Sequence, residues 1–192
     1  MSAYDLNNCR YTLEEFYTVT EDMRAELIDG FIYNMAPPKR IHQRIVLRIS
    51  ALIDRYITDN KGECEVNAAP FGVRLSENTL VEPDITVVCD KNKLTEDGCE
   101  GAPDWVIEVA SSNSSNDYGK KFSLYKNSGV REYWIIDPNT EYTNVYKFEP
   151  DSNIIGFIRY PFADAITADI YKDNPEPLEI CVADLISDFN NE

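Results

Sequence analysis

No run of about 18 apolar residues occurs in this sequence, which argues against a membrane-spanning helix. Residues 1–16 lack the basic and apolar blocks of a signal peptide. No G-x-G-x-x-G or Walker pattern is present to cradle nucleotide phosphates, which leaves a small-molecule enzyme of that kind without support. His42 is the only histidine. The five cysteines, Cys9, Cys64, Cys89, Cys99 and Cys181, are odd in number and form no C-x-x-C pair, so neither a zinc site nor a disulfide scaffold is expected. They read as mostly small apolar fillers of a protein in the reducing cytoplasm. Positive charge is scarce too: 18 Lys and Arg stand against 34 Asp and Glu, a net charge of -16. Proteins that hold duplexes usually present a basic face, because neutralising phosphates supplies much of their affinity.

What is present suits one folded domain. A chain of 192 residues is most simply a single domain over 1–192, large enough to bury a core. The acidity is uneven. Beyond residue 139 the only basic residues are Lys147, Arg159 and Lys172, whereas residues 39–55 hold Lys39, Arg40, Arg44, Arg48 and Arg55 with Asp54 as the only acid.

Local patterns give the elements. Thr12 with Glu15 three residues on is a capping-box signature for a short helix within residues 11–23. Residues 25–35 read as two strands around Asp29-Gly30, the pair favoured in a type I′ turn. After Pro37-Pro38, Ile41, Ile45, Ile49, Leu52 and Ile53 recur at helical spacing and predict an amphipathic helix over residues 39–58. Arg40, Arg44 and Arg48 line one flank of it, as a phosphate-contacting stripe or as an ordinary solvated face. His42 falls on its first turn, where a lone histidine is usually structural. Short strands are expected at 64–68 and 71–75, a polar turn at 76–79 and a loop at 91–103. Asp117 and Gly129 bound a helix over 118–127 with Tyr118, Phe122 and Tyr125 as its apolar stripe. Lys121 adjoins that stripe with Tyr125 at i+4, whereas Lys120 and Lys126 read as solvated. Strands follow at 132–137, 142–148, 154–160 and 178–182, with a turn at 149–151, an acidic loop at 163–177 and a short helix at 183–189.

The chemistry concentrates in residues 81–138. Asp84 opens the apolar run Ile85-Thr86-Val87-Val88, entered through Pro83. Glu108 is the one charge in Trp105-Val106-Ile107-Glu108-Val109-Ala110. Strand alternation puts it on the face of Val106 and Ala110, opposite Trp105, Ile107 and Val109. A carboxylate in such a run is costly to bury unless it is paired or binds a metal, although a half-exposed strand with one polar face would carry it as well. The serine-rich stretch after it, residues 111–115, makes that strand end a polar loop, where ligand groups concentrate.

The series PD-x-x-V-V, PDWVIEV, D-x-x-x-K-x-x-x-Y and GVREYWIIDP resembles the Uma-type restriction endonucleases, a family of the PD-(D/E)XK nuclease superfamily. The likeness extends upstream through ELIDGFIYNMAPP and the helix near His42, and so covers residues 13–138. It implies an α/β, restriction-endonuclease-like mixed β-sheet flanked by helices, often in a homodimer. Trp134 and Tyr142, near a strand edge, would supply apolar surface for such an interface. It also implies that Asp84 and Glu108 bind metal, that Lys121 is the catalytic lysine, and that Glu26 is a supporting acid; from the residues alone Glu26 is more often a solvated strand position. Ala110 stands where the superfamily has its lysine, two residues after Glu108; in the Uma-type family that lysine has moved to the helix, where Lys121 lies.

The implied activity is Mg²⁺- or Mn²⁺-dependent endonuclease hydrolysis of phosphodiester bonds, with DNA the expected partner and no membrane. Two carboxylates suffice for an ion that keeps several waters. The ion would acidify a water, and Lys121, charged beside two acids, would stabilise the transition state electrostatically. The competing expectation is a nuclease-fold binding or structural module without turnover, in keeping with the acidic surface and the lysine missing after Glu108.

Overall fold

The computed structural model describes residues 9–21, 23–111, 117–149 and 155–188. The serines beyond Ser111, the turn beyond Glu149 and the Asp117 side chain expected as a cap lie outside the described residues. In chain order the first elements are α1 (Leu13–Val19), β1 (Ala25–Ile28), β2 (Phe31–Asn34), α2 (Arg40–Asp59), β3 (Glu65–Ala68), β4 (Gly72–Ser76) and β5 (Thr79–Val81). Then come β6 (Ile85–Val88), β7 (Leu94–Thr95), β8 (Gly98–Glu100), β9 (Trp105–Val109) and α3 (Asp117–Ser128). The rest are β10 (Glu132–Asp137), β11 (Tyr142–Phe148), β12 (Ile155–Pro161), β13 (Ala165–Thr167), β14 (Glu179–Cys181) and α4 (Val182–Leu185).

The local signals act as expected. The Thr12 side chain accepts from Glu15 N, and Glu15 Oε2 accepts from Thr12 N at 2.8 Å, closing the capping box that starts α1. Asp29 and Gly30 turn the β1–β2 hairpin at φ 52° and 82°, the left-handed pair of a type I′ turn.

Two sheets result, in the orders β2-β1-β5-β4-β8-β7 and β12-β11-β10-β9-β6-β3, with β13 and β14 paired apart. In the second sheet β9 and β10 are parallel, joined by the α3 crossover, and their other neighbours are antiparallel. This is a mixed α/β architecture of two mixed sheets flanked by helices. Strand alternation sorts its core. Ile85 and Val87 of β6 and Trp105, Ile107 and Val109 of β9 meet Ile45, Ile49 and Ile53 of α2 on one face. Val88, Val106 and Tyr133 turn the other way, toward Tyr125 of α3 and toward Val73 and Val81 of the first sheet.

Several expectations are corrected. Residues 91–103 are not one loop: Lys91–Lys93 make a 3-10 turn and β7–β8 a hairpin that extends the first sheet. Its strands have two and three residues, too short for an alternation signal. Gly98 lies opposite Gly72 on β4, and a Cβ on it, at φ 147°, would collide with the Gly72 carbonyl oxygen. The polar turn at 76–79 gives up Thr79 to β5, and the acidic loop at 163–177 contains β13 and a 3-10 turn at Asp169–Tyr171.

Cys64 and Cys89 form a disulfide, against the reading of the cysteines as mostly fillers in a reducing compartment. Glu65 pairs with Val88 across β3 and β6, so the next step outward sets the two cysteines face to face. A separation of 25 residues hides this until the register is known. Trp134 is fully buried on β10, between β9 and β11, and offers nothing to an interface. Tyr142 remains partly exposed, with the Arg159 guanidinium 4.1 Å from its ring centre.

Candidate functional site

Register builds the site. The β6–β9 ladder ends on the pair Ile85–Ile107, and one step beyond it Asp84 comes opposite Glu108. Asp84 Oδ2 accepts the Val109 N–H at 2.7 Å and lies 3.1 Å from His42 Nε2 on the first turn of α2. Glu108 shares the face of Val106 and is met by α3. Lys121 Nζ donates to Glu108 Oε1 at 2.9 Å, and the Tyr125 hydroxyl donates to the same oxygen at 2.8 Å. Glu26, on β1 of the other sheet and only 4% exposed, accepts from Lys121 Nζ and from Glu82 N, each at 2.9 Å. Residues distant in sequence thus converge where both sheets meet α3.

The electrostatics follow from burial. Desolvation pushes the Glu108 carboxyl up to about 7; Lys121 pulls it down, while the negative charges of Asp84 and Glu26 add to the rise. Burial alone would lower Lys121, yet Glu108 and Glu26 outweigh it and hold the ammonium above its ordinary range. Lys121 is therefore a fixed positive charge, unsuited to act as a base. Burial first and Glu108 second raise Tyr125 well above its usual value, so it remains a donor.

A cavity of about 400 Å³ opens on these groups, with Glu26, His42, Asp84, Glu108 and Lys121 in its wall. Among the described residues no group of three or more His, Cys, Asp or Glu is arranged to hold a metal ion. The donor set fits a sparser arrangement. Asp84 uses Oδ2 and Glu108 uses Oε1 for the bonds above, which leaves Oδ1 and Oε2, both hard oxygen donors, free of hydrogen bonds from described residues. Two such oxygens and retained waters suit Mg²⁺ or Mn²⁺.

Of the residues singled out in the sequence, Asp84, Glu108, Lys121 and Glu26 come together. Arg44 and Arg48 point elsewhere: both Nη2 atoms bond Asp188 Oδ2, Arg48 at 2.9 Å, and neither lines the cavity. Arg40 opens α2 and does not line it either. Sequence reasoning missed two contributors. Tyr125 passed as an apolar stripe residue, although its i+4 spacing from Lys121 was visible. Lys120 passed as solvated, yet its Nζ lies 3.3 Å from the Tyr33 hydroxyl and 4.6 Å from that ring's centre.

A sequence profile of the Uma2 family, described as "Putative restriction endonuclease", matches residues 13–158. Among solved structures, the chain is similar to a protein of Anabaena variabilis ATCC 29413 described as a "putative nuclease belonging to DUF820". The TM-score is 0.72 at 22% identity, over 92% of this chain and 97% of that one, a likeness of fold. No curated protein matches the chain significantly.

Proposed function

This chain belongs to the Uma2 restriction-endonuclease family, and from that membership we propose that it hydrolyses phosphodiester bonds in nucleic acid, DNA in the first instance. We read it as one restriction-endonuclease-like domain over 1–192, acting with Mg²⁺ or Mn²⁺ held by Asp84 and Glu108. A homodimer, if it forms, has Tyr142 but not Trp134 available to it. One observation carries the reading: Lys121 bridges Glu26 and Glu108 at 2.9 Å each, while Asp84 stands across the strand pair from Glu108.

An ion held by Asp84 and Glu108 would supply Lewis-acid chemistry, polarising the scissile phosphate and lowering the pKa of a bound water. The chain's own residues do the rest. Asp84, a residue of the cavity wall, is aimed by the Val109 N–H and His42, both on Oδ2. Lys121, kept charged by its two acids, offers a preorganised cation to the charge that develops on the phosphate oxygens. Glu26 and the Glu82 N–H fix the direction of the ammonium, and Tyr125 fixes Glu108.

A second reading, a nuclease-fold binding module without turnover, draws on the lack of a three-ligand group among the described residues. Calorimetric titration of Mg²⁺ and Mn²⁺ into the wild type and Asp84→Asn, followed by plasmid nicking with each ion, separates the two. Saturable heat and nicking that both vanish in Asp84→Asn are expected. Heat without nicking on any single- or double-stranded substrate sinks the catalytic reading.

A further inference from the structure

A second cavity, of about 950 Å³, adjoins the first, and Ile28, Tyr33 and Lys120 line both. Its wall departs from the acidic balance of the chain as a whole. Among its described lining residues Arg10 and Lys120 face Asp29 as the one acid, although acids outnumber bases nearly two to one in the whole chain. Each of the two cations sits on an aromatic ring: Lys120 Nζ 4.6 Å from the Tyr33 ring centre, and the Arg10 guanidinium 5.6 Å from that of Phe31. The two rings are on one strand, β2, two residues apart, and so on the same face. The α3 side of the cavity adds Gly119, where a Cβ would meet nothing within 4 Å, then Ser123, Asn127 and Ser128, with Leu124 as its one large apolar residue.

We propose that this second cavity is a binding site for a single-stranded stretch of nucleic acid flanking the phosphodiester in the first cavity; the substrate identity rests on the nuclease reading above. A polymer whose reacting phosphate lies at Asp84 and Glu108 has to lead its next nucleotides away, and the lip shared at Tyr33 and Lys120 is a continuous exit. Alternating cations and rings match alternating phosphates and bases. Phosphates draw Lys120 and Arg10 off their rings, and the uncovered faces of Tyr33 and Phe31 stack unpaired bases. A paired duplex keeps its bases stacked inside and has none to give. The site also answers the charge problem: a chain of net charge -16 needs only a local positive path, not a basic surface.

The test is anisotropy of a short fluorescein-labelled oligothymidylate in EDTA, so that binding is read without cleavage. Arg10 and Lys120 are both exposed, so Arg10→Glu with Lys120→Glu leaves the fold intact. The pair is expected to weaken binding at least tenfold and to flatten the salt dependence by about 0.7 in log–log slope for each phosphate no longer neutralised. Lys91→Glu reverses a charge outside both cavities and is expected to leave Kd within twofold. Replacing one thymine by 2-aminopurine should give quenching in the wild type that Tyr33→Leu removes. The proposal is overturned if the wild type does not bind, if the double variant binds like wild type, if Lys91→Glu weakens binding as much, or if a duplex of equal length binds as tightly. Single-strand binding lost only in the Arg10/Lys120 variant, with no cleavage under any metal, instead supports the site and overturns the nuclease reading alone.

Discussion

Lys121 and Tyr125, one turn apart on α3, donate to the same atom, Glu108 Oε1, at 2.9 and 2.8 Å. A helix turn spans about the distance that lets i and i+4 side chains meet, so α3 brings a cation and a hydroxyl to one carboxylate. Their removal should have unequal cost. Tyr125→Phe withdraws one hydrogen bond from a charged acceptor and is expected to lower stability by about 2 kcal/mol. Lys121→Met strands two buried acids and should cost about 3–5 kcal/mol as well as abolish cleavage. Urea midpoints of both variants check this; a smaller loss for Lys121→Met than for Tyr125→Phe contradicts the pairing.

Glu108 makes stability depend on pH in a known sense. Its folded value, about 7, lies above the ordinary 4.5, so the folded state holds the proton more tightly than the unfolded chain. The contribution is fully present below 4.5 and is lost as pH rises toward 7. Its size is on the order of 3 kcal/mol. In EDTA, the stability of wild type minus that of Glu108→Gln should fall across this window. A flat difference curve counts against a buried, proton-hungry Glu108.

The cysteines should separate by reactivity. Cys9 is exposed, and burial pushes the Cys99 thiol up to about 11. Iodoacetamide should therefore label Cys9 first and Cys99 last, and reach Cys64 and Cys89 only after reduction. Replacing both bridged cysteines by alanine should cost about 3 kcal/mol by the loop-entropy account. Labelling of Cys64 without reductant, in protein quenched with acid at lysis, would place the chain in the reducing compartment with that bridge open.

Gly98 offers a test of the β4–β8 contact. Alanine there must adopt a positive φ and push against the Gly72 carbonyl, so Gly98→Ala should lose more than about 1 kcal/mol. Gly119→Ala, with open space around it, is the matched control by urea melt.

Much of the fold was legible wherever a signal was local. The Thr12–Glu15 box, the Asp29-Gly30 turn and the isoleucines of α2 each depend on neighbours within a few residues, and each appears where expected. Glu108 was visible because charge inside an apolar run is conspicuous, and Asp84 because it opens another such run. What stayed hidden depends on register across long separations. Glu26 read as a surface residue because its partners Glu82 and Lys121 lie far along the chain. Arg44 and Arg48 read as open because nothing nearby announces Asp188. Cys64 and Cys89 needed the Glu65–Val88 pair before they could be seen to face each other.

That bridge has a consequence for aim. β3 is the rim strand of its sheet, where sliding and fraying begin. It is fastened to β6 at one end by Cys64–Cys89 and at the other by the Ala69 N–H on the Asp84 carbonyl, at 3.0 Å. A one-residue creep of β3 would turn its own side chains to the opposite face and carry Ala69, which lines the cavity, off the Asp84 carbonyl. The two fastenings thus act as a vice on the rim, and the cavity wall that Ala69 supplies beside Asp84 stays in place.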